Sequence, residues 1–173
     1  MVESVVSFFL SLFSGLKGIP LGRELTVFII SLMPILELRG GLIAASLLGL
    51  DPIRSYIISI IGNILPVPFI LWFINSILNW MRNSKYKKIK GIAKWLDKKV
   101  DKHKHKIEKF GFWGLVLFVG IPLPGTGAWT GCLIASVLEM DRKKSFIAAM
   151  IGIFMASIIM MILSFGILRN VIS

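Results

Sequence analysis

The chain is poor in acidic residues and in cysteine, and long stretches of it carry no charge at all. Nine of its 173 residues are Asp or Glu, and Cys132 is its one cysteine, which excludes a disulfide framework within the chain. Three charge-free runs cover residues 55–81, 111–138 and 145–168. Each run exceeds the roughly 20 residues that cross a bilayer. Because 55% of the chain is also hydrophobic, a soluble domain is excluded.

Positive charge is concentrated between two of these runs. Residues 82–109 hold twelve Lys or Arg against three acids. In a soluble protein such a segment would indicate nucleic-acid binding, but beside membrane helices the positive-inside rule explains it more simply. We therefore expect a cytoplasmic segment and no nucleic-acid partner. Anionic lipid headgroups are the partners expected at Lys85–Lys109.

Apolar residues recur at helical spacing inside the basic segment. This spacing predicts an amphipathic helix that lies on the cytoplasmic membrane surface. The stripe consists of Ile89, Ile92, Leu96, Val100, Ile107 and Phe110, with Trp95 beside it. His103 and His105 alternate with lysines on different faces of this helix, so we expect a solvated face here and no metal site.

The apolar part of the sequence contains an internal duplication. Residues 28–62 align without a gap on residues 118–152, at an offset of 90, and eleven of the 35 pairs are identical. The informative identities involve proline, glycine and aspartate: Pro34/Pro124, Gly41/Gly131, Asp51/Asp141 and Gly62/Gly152. A duplicated apolar segment that is interrupted by Pro and Gly indicates a secondary-transporter site where two repeats meet.

Both copies contain a segment that cannot be a straight helix. The first carries Pro34, Glu37, Arg39, Gly40 and Gly41 within eight residues. The second is richer still in helix breakers and carries Pro122, Pro124, Gly125, Thr126, Gly127, Trp129, Thr130 and Gly131. Irregular backbone survives at membrane depth only where protein or a watery cavity surrounds it. We therefore predict two re-entrant helical hairpins, each followed by a crossing helix.

The predicted fold is a single all-α integral membrane domain built as an inverted repeat. Its parts are an N-terminal interfacial or short helix at 1–21, repeat 1 at 22–80, the basic segment at 81–110 and repeat 2 at 111–173. With re-entrant hairpins, the basic segment and Arg142–Lys144 both face the cytoplasm. If both broken segments instead span the membrane, the repeats are parallel and Arg142–Lys144 falls on the opposite side. The sequence leaves open whether residues 5–16 span the membrane.

Glu37 and Arg39 are the two charges within the apolar blocks, and each costs roughly 2.5–3.5 kcal/mol at a bilayer centre. One interpretation is a structural ion pair, or a hairpin shallow enough for both side chains to reach water. The other is a substrate or ion site, in which Arg39 holds an anionic group and Glu37 exchanges a proton.

The second hairpin has no charge and offers backbone amides, Thr126 and Thr130. Open helix N-termini bind anions. The alternative for Gly127–Gly131 is a GxxxG-type contact that lets helices approach closely. Asn63, polar within a crossing helix, is placed to line a cavity. Pro34, Gly40, Gly41 and the glycines and prolines of the second hairpin complete the candidate substrate or ion site.

At these two motifs the chain resembles the prokaryotic membrane family named Putative small multidrug export. The motifs are Pro34–Gly41 and Phe118–Gly131, and the resemblance covers nearly the whole chain. That family in turn looks like a distant relative of the DedA/VTT membrane proteins, whose paired re-entrant hairpins move lipids with ion coupling. The DedA-type pattern has acidic and arginine residues in both halves, whereas here the second hairpin has neither. The first motif also departs from its family where it continues Gly41-Leu42-Ile43.

The resemblance implies a transporter or lipid translocase in the plasma membrane of a prokaryote. Its anionic or amphipathic substrate would bind between the hairpin tips. A homodimer is one way for so short a chain to enclose a path. The alternative is a non-transporting scaffold or assembly protein whose basic helix recruits anionic lipid or a partner. The sequence shows no enzyme signature, so we expect no catalysis, no cofactor and no metal.

Sided labelling tests the inverted repeat. Cys132 is replaced by Ser, single cysteines are placed at Asp51 or Asp141, and intact cells receive an impermeant thiol reagent. We expect labelling at position 51 only, because the two turns then face opposite sides. Labelling of both turns would contradict re-entrant hairpins and move the scaffold hypothesis ahead.

Overall fold

The computed structural model describes residues 21–123 and 125–168, together with the single positions Phe8, Ser11 and Gly15. Within these residues the chain is helical and has no strand. The short helix predicted at 5–16 and the motif residue Pro124 fall outside this part, apart from the three single positions.

Seven α-helices occupy the described part of the chain. They are α1 Gly22–Leu32, α2 Glu37–Leu47, α3 Pro52–Ile64, α4 Pro66–Asn83, α5 Lys87–Gly120, α6 Ala128–Val137 and α7 Arg142–Met161, which continues as a π-helix over Ile162–Leu168. Helices α1 and α2 form a hairpin that packs on α3, and the end of α5 with α6 forms a second hairpin on α7. The helices α3 and α7 contact each other, α6 packs on α4, and α2 packs on α7.

Two helical stretches are long and apolar enough to cross a membrane. They are Pro52–Asn83, of 32 residues, and Arg142–Gly166, of 25 residues. Their outer faces are apolar too: Ile57, Ile61, Ile147 and Ile151 are between 41% and 53% exposed. These four residues are two identical pairs of the duplication. An exposed apolar stripe suits lipid better than water, so the stripe supports a membrane protein.

The duplication extends to the hydrogen bonds of the turns. Asp51 accepts the N–H of Arg54 at 2.9 Å, and Asp141 accepts that of Lys144 at 2.8 Å. Both aspartates thereby cap the helix that follows. In the turns before them, the N–H of residue 50 donates to Ala45 O and that of residue 140 to Ala135 O, both at 3.0 Å. The two copies therefore have the same backbone conformation in these turns.

Left-handed backbone also recurs at the offset of 90. Leu21 and Gly111 have φ of 64° and 53°, Glu37 and Gly127 have 52° and 136°, and Gly49 and Glu139 have 67° and 53°. In each pair of corresponding positions, one residue is glycine and the other is not. The turn at Gly111 divides α5, and its residues 112–120 are the counterpart of α1.

The basic segment forms the first part of α5, but its apolar stripe does not all face outward. Val100 and Ile107 are buried in the core that α4, α6 and α7 share, whereas Ile92 and Phe110 are exposed. The expectation of a stripe that lies on the membrane surface is therefore wrong for Val100 and Ile107. These two residues face the neighbouring helices, so protein covers this part of the stripe.

The two histidines of this helix have different environments. His105 is exposed and lies 3.3 Å from Glu108. His103 is partly buried, and its ring lies edge-on to Phe118 with 5.5 Å between the ring centroids. The solvated face predicted for both is therefore wrong for His103.

The paired turns predict opposite effects of substitution. Glu139 is exposed, and its left-handed backbone suits glycine better. We expect Glu139→Gly to raise the free energy of unfolding by about 1 kcal/mol. The matched change Gly49→Ala should lower it by a similar amount. Thermal unfolding in detergent micelles measures both, and a lower melting temperature for Glu139→Gly would contradict the assignment.

Candidate functional site

The two hairpin tips meet through Glu37. The first tip is residues 33–37, and the second tip is residues 121–123 and 125–127. Glu37 is 5% exposed, and its carboxylate accepts the N–H groups of Ala128 and Trp129, both at 3.0 Å. These amides open α6 and have no partner within the helix. Because the helix dipole also favours an anion there, Glu37 caps the N-terminus of α6.

Arg39 binds the other side of the same break. Its guanidinium donates to Leu123 O, to Ile121 O at 3.3 Å and to Thr126 Oγ1 at 3.0 Å. Ile121 is the C-cap residue of α5, and at such a helix end carbonyl groups lack helical partners and attract cations. The two charges of the first hairpin thus stabilise both broken ends of the second.

Neither charge pairs directly with the other. The ion pairs of the described residues are Arg82–Asp97, Lys104–Asp101 and His105–Glu108. Glu37 and Arg39 point to different ends of the second tip, as their i,i+2 spacing on α2 requires. The structural ion pair considered from the sequence is therefore replaced by two separate capping contacts.

The second hairpin also binds a helix end of the first hairpin. Trp129 is the counterpart of Arg39 in the duplication, and its Nε1 donates to Leu32 O at the end of α1, at 3.1 Å. Ser46 donates to Ser164 O at 2.8 Å, while the carbonyl of its counterpart Ser136 accepts from Asn75 Nδ2 at 2.7 Å. Each of these contacts joins one hairpin to the other repeat.

Several predicted site glycines are packing positions. A Cβ at Gly41 would lie 1.8 Å from Ser31 Oγ, one at Gly131 would lie 2.8 Å from Val119 Cγ2, and one at Gly40 would lie 2.5 Å from Leu36 Cβ. The space near Gly127 is filled by Glu37, whose Oε2 would lie 2.1 Å from a Cβ there. The open amides predicted at this tip are thus occupied by a carboxylate of the chain itself.

Some of the remaining predicted residues line a cavity and the others do not. Pro34, Trp129 and Thr130 line a cavity beside the tips. Gly125 has φ of 84° in the turn of the second tip, where Thr126 binds Arg39 and Pro122 is partly buried. Asn63 is 3% exposed on α3 and does not line this cavity.

The cavity has a volume of about 330 Å³ and lies between the first tip and the helices α4, α5 and α6. Its lining consists of Pro34, Ile35, Ile70, Ile74, Trp95, Leu96, Lys99, Trp129, Thr130 and Leu133. Lys99 is the one charged residue in this lining. Trp95 and Lys99 were not singled out from the sequence as site residues, although their i,i+4 spacing places them on one face.

Lys99 is held beside the cavity by an aromatic ring. Its Nζ lies 5.4 Å from the centroid of Trp95, a distance that permits a cation–π contact. Burial lowers the pKa of Lys99, and the charge of Glu37 acts in the opposite direction. The site therefore combines apolar walls with one partly desolvated cation. Within the described residues, no group of three His, Cys, Asp or Glu could hold a metal ion.

The close fit of Glu37 against Gly127 predicts the effect of a methyl group. Gly127→Ala should displace the carboxylate from two amides, and each hydrogen bond to a charged group contributes about 1.5–3 kcal/mol. We expect a clear loss of stability in thermal unfolding. Gly91→Ala is the matched control, because Gly91 is helical with open space around it and should gain up to about 1 kcal/mol. Equal melting temperatures for the two variants would contradict the capping role.

Comparison with protein families assigns the chain to one family. Residues 37–159 match the family described as Putative small multi-drug export protein, so the chain belongs to this family. The match includes Glu37, Arg39 and the whole second tip. Comparisons with curated proteins and with solved structures find no match. The family description and the two apolar helices are consistent with a membrane transporter in general.

Proposed function

From membership of this family we propose that the chain is a small membrane transporter or lipid translocase. An anionic or amphipathic substrate passes beside the joined hairpin tips. The observation that carries the proposal is the junction of Glu37 and Arg39 with both ends of the second tip, directly beside a cavity. Broken helices that meet around a site are the usual architecture of secondary transporters.

The junction supports a re-entrant arrangement of the hairpins. In hydrocarbon, a break in a helix leaves N–H and C=O groups without water, and each unsatisfied group costs several kcal/mol. Here each hairpin satisfies backbone groups of the other, so neither break needs to reach an aqueous surface. Together with the contact of Trp129 with Leu32, this arrangement supports the proposal of an inverted repeat.

Glu37 and Arg39 have a positioning role in this proposal. They hold the two tips together, and the substrate lies beside them. Protonation of Glu37 removes the negative charge that the α6 amides bind, which weakens the junction and gives a route for ion coupling. The proposal assigns no enzymatic activity and no cofactor.

The surroundings of the site follow from the same proposal. The chain lies in the plasma membrane of a prokaryote with the basic segment in the cytoplasm. Lys94, Lys98 and Lys102 are exposed on α5 and are available to anionic headgroups. These exposed lysines are also the observation that favours the second candidate, a scaffold that recruits anionic lipid or a partner. A homodimer is compatible with both functions.

Movement of lipid and of a soluble amphipath is measured in proteoliposomes. Dithionite bleaching of NBD-labelled phosphatidylglycerol reports lipid exchange, and efflux of trapped taurocholate reports transport of an anion. We expect one of them to exceed the rate in protein-free vesicles. Glu37→Gln should slow it by roughly tenfold, because a charged acceptor is lost at the junction.

Glu24→Gln is the matched control in the same hairpin, and we expect it to retain the rate. If neither probe moves faster than in empty vesicles, transport of these two classes is contradicted. Loss of lipid recruitment on neutralising Lys94, Lys98 and Lys102 would then support the scaffold.

A further inference from the structure

We infer that the cavity beside the tips binds a small amphipathic molecule with one anionic group, and that Lys99 contacts this group. Trp95 and Trp129 form walls for the apolar part. This inference rests on the proposed function, since it names the substrate class and the charged contact of the same site. It differs from the sequence-based expectation, in which Arg39 held the anion.

Lys99 is turned inward on a helix whose neighbouring lysines are exposed. Lys98 and Lys102 face solvent or headgroups, whereas Lys99 is partly buried and lines the cavity. Removing an ammonium group from water is unfavourable unless a partner compensates. A bound anion provides such a partner through a charge-assisted hydrogen bond.

No carboxylate of the described residues forms an ion pair with Lys99. None of the three ion pairs found in the described residues includes Lys99. Glu37 acts on Lys99 through its charge, but its two oxygens accept from Ala128 and Trp129. The positive end of α6 and the nearby Arg39 offset the charge of Glu37. An anion that enters the cavity therefore meets Lys99 as its nearest lining cation.

The rest of the lining defines the ligand. Ile70, Ile74, Leu96 and Leu133 supply apolar walls, and Thr130 supplies one hydroxyl. A volume of about 330 Å³ is at the lower end of the roughly 300–1,000 Å³ typical of small-molecule sites. One cation in such a space matches one anionic group on a short apolar body. A large polyanion would leave most of its charge without a partner.

Quenching of tryptophan fluorescence tests the site in the purified full-length chain in detergent micelles. The probes are ω-bromooctanoate and its uncharged methyl ester, since bromine quenches indole fluorescence on contact. We expect Lys99→Gln to raise the Kd for bromooctanoate about tenfold relative to the wild type. The Kd for the ester should stay the same. Lys98→Gln, one residue away and exposed, is the matched control and should leave both values unchanged.

Three outcomes overturn the inference. They are an unchanged Kd for bromooctanoate in Lys99→Gln, an equal loss of affinity in Lys99→Gln and Lys98→Gln, and a parallel loss of affinity for the ester. If Lys99→Gln unfolds, Lys99→Arg keeps the charge and must retain binding while Trp95→Ala reduces quenching.

The vesicle measurements separate this inference from the proposed function. Normal flux together with unchanged carboxylate binding in Lys99→Gln rejects the site but leaves the transporter in place. Binding that depends on Lys99 without flux of either probe supports the site and rejects transport of those probes.

Discussion

The capping of broken helix ends by groups from another hairpin is the constraint on which the structure depends. A helix that stops inside an apolar protein leaves four amides or four carbonyls without partners. Glu37 binds the amides that open α6, Arg39 binds the carbonyls that follow α5, and Trp129 binds the end of α1. These contacts join the two hairpins and bring the Glu37 carboxylate against Gly127.

The sequence predicts the parts of this arrangement that are local. Breaks in both copies are readable from proline and glycine, and the two charges are visible because nothing else in the apolar blocks is charged. The partners of those charges are not readable, since they lie 82 to 92 residues away in the chain. The open amides expected at the second tip are therefore occupied by Glu37 of the first, and Arg39 binds two carbonyls and the Thr126 hydroxyl of the second tip.

The helical stripe of α5 shows a second limit. Spacing identifies the apolar face of a helix but does not say whether lipid or protein covers it. Val100 and Ile107 lie in the core, and Lys99 beside them lines a cavity, although the composition around them is that of a surface helix. Only the packing of α5 against α4 and α6 distinguishes Lys99 from Lys98.

The paired left-handed positions have a consequence for how such a protein can be built. Two half-length chains that assembled as a symmetric dimer would carry the same residue in both tips, so an acid in one tip would always accompany an acid in the other. Here Glu37 corresponds to Gly127, and the Glu37 carboxylate occupies the space that a side chain at Gly127 would need. One polypeptide that holds two diverged copies lets one half supply the charge and the other the room for it.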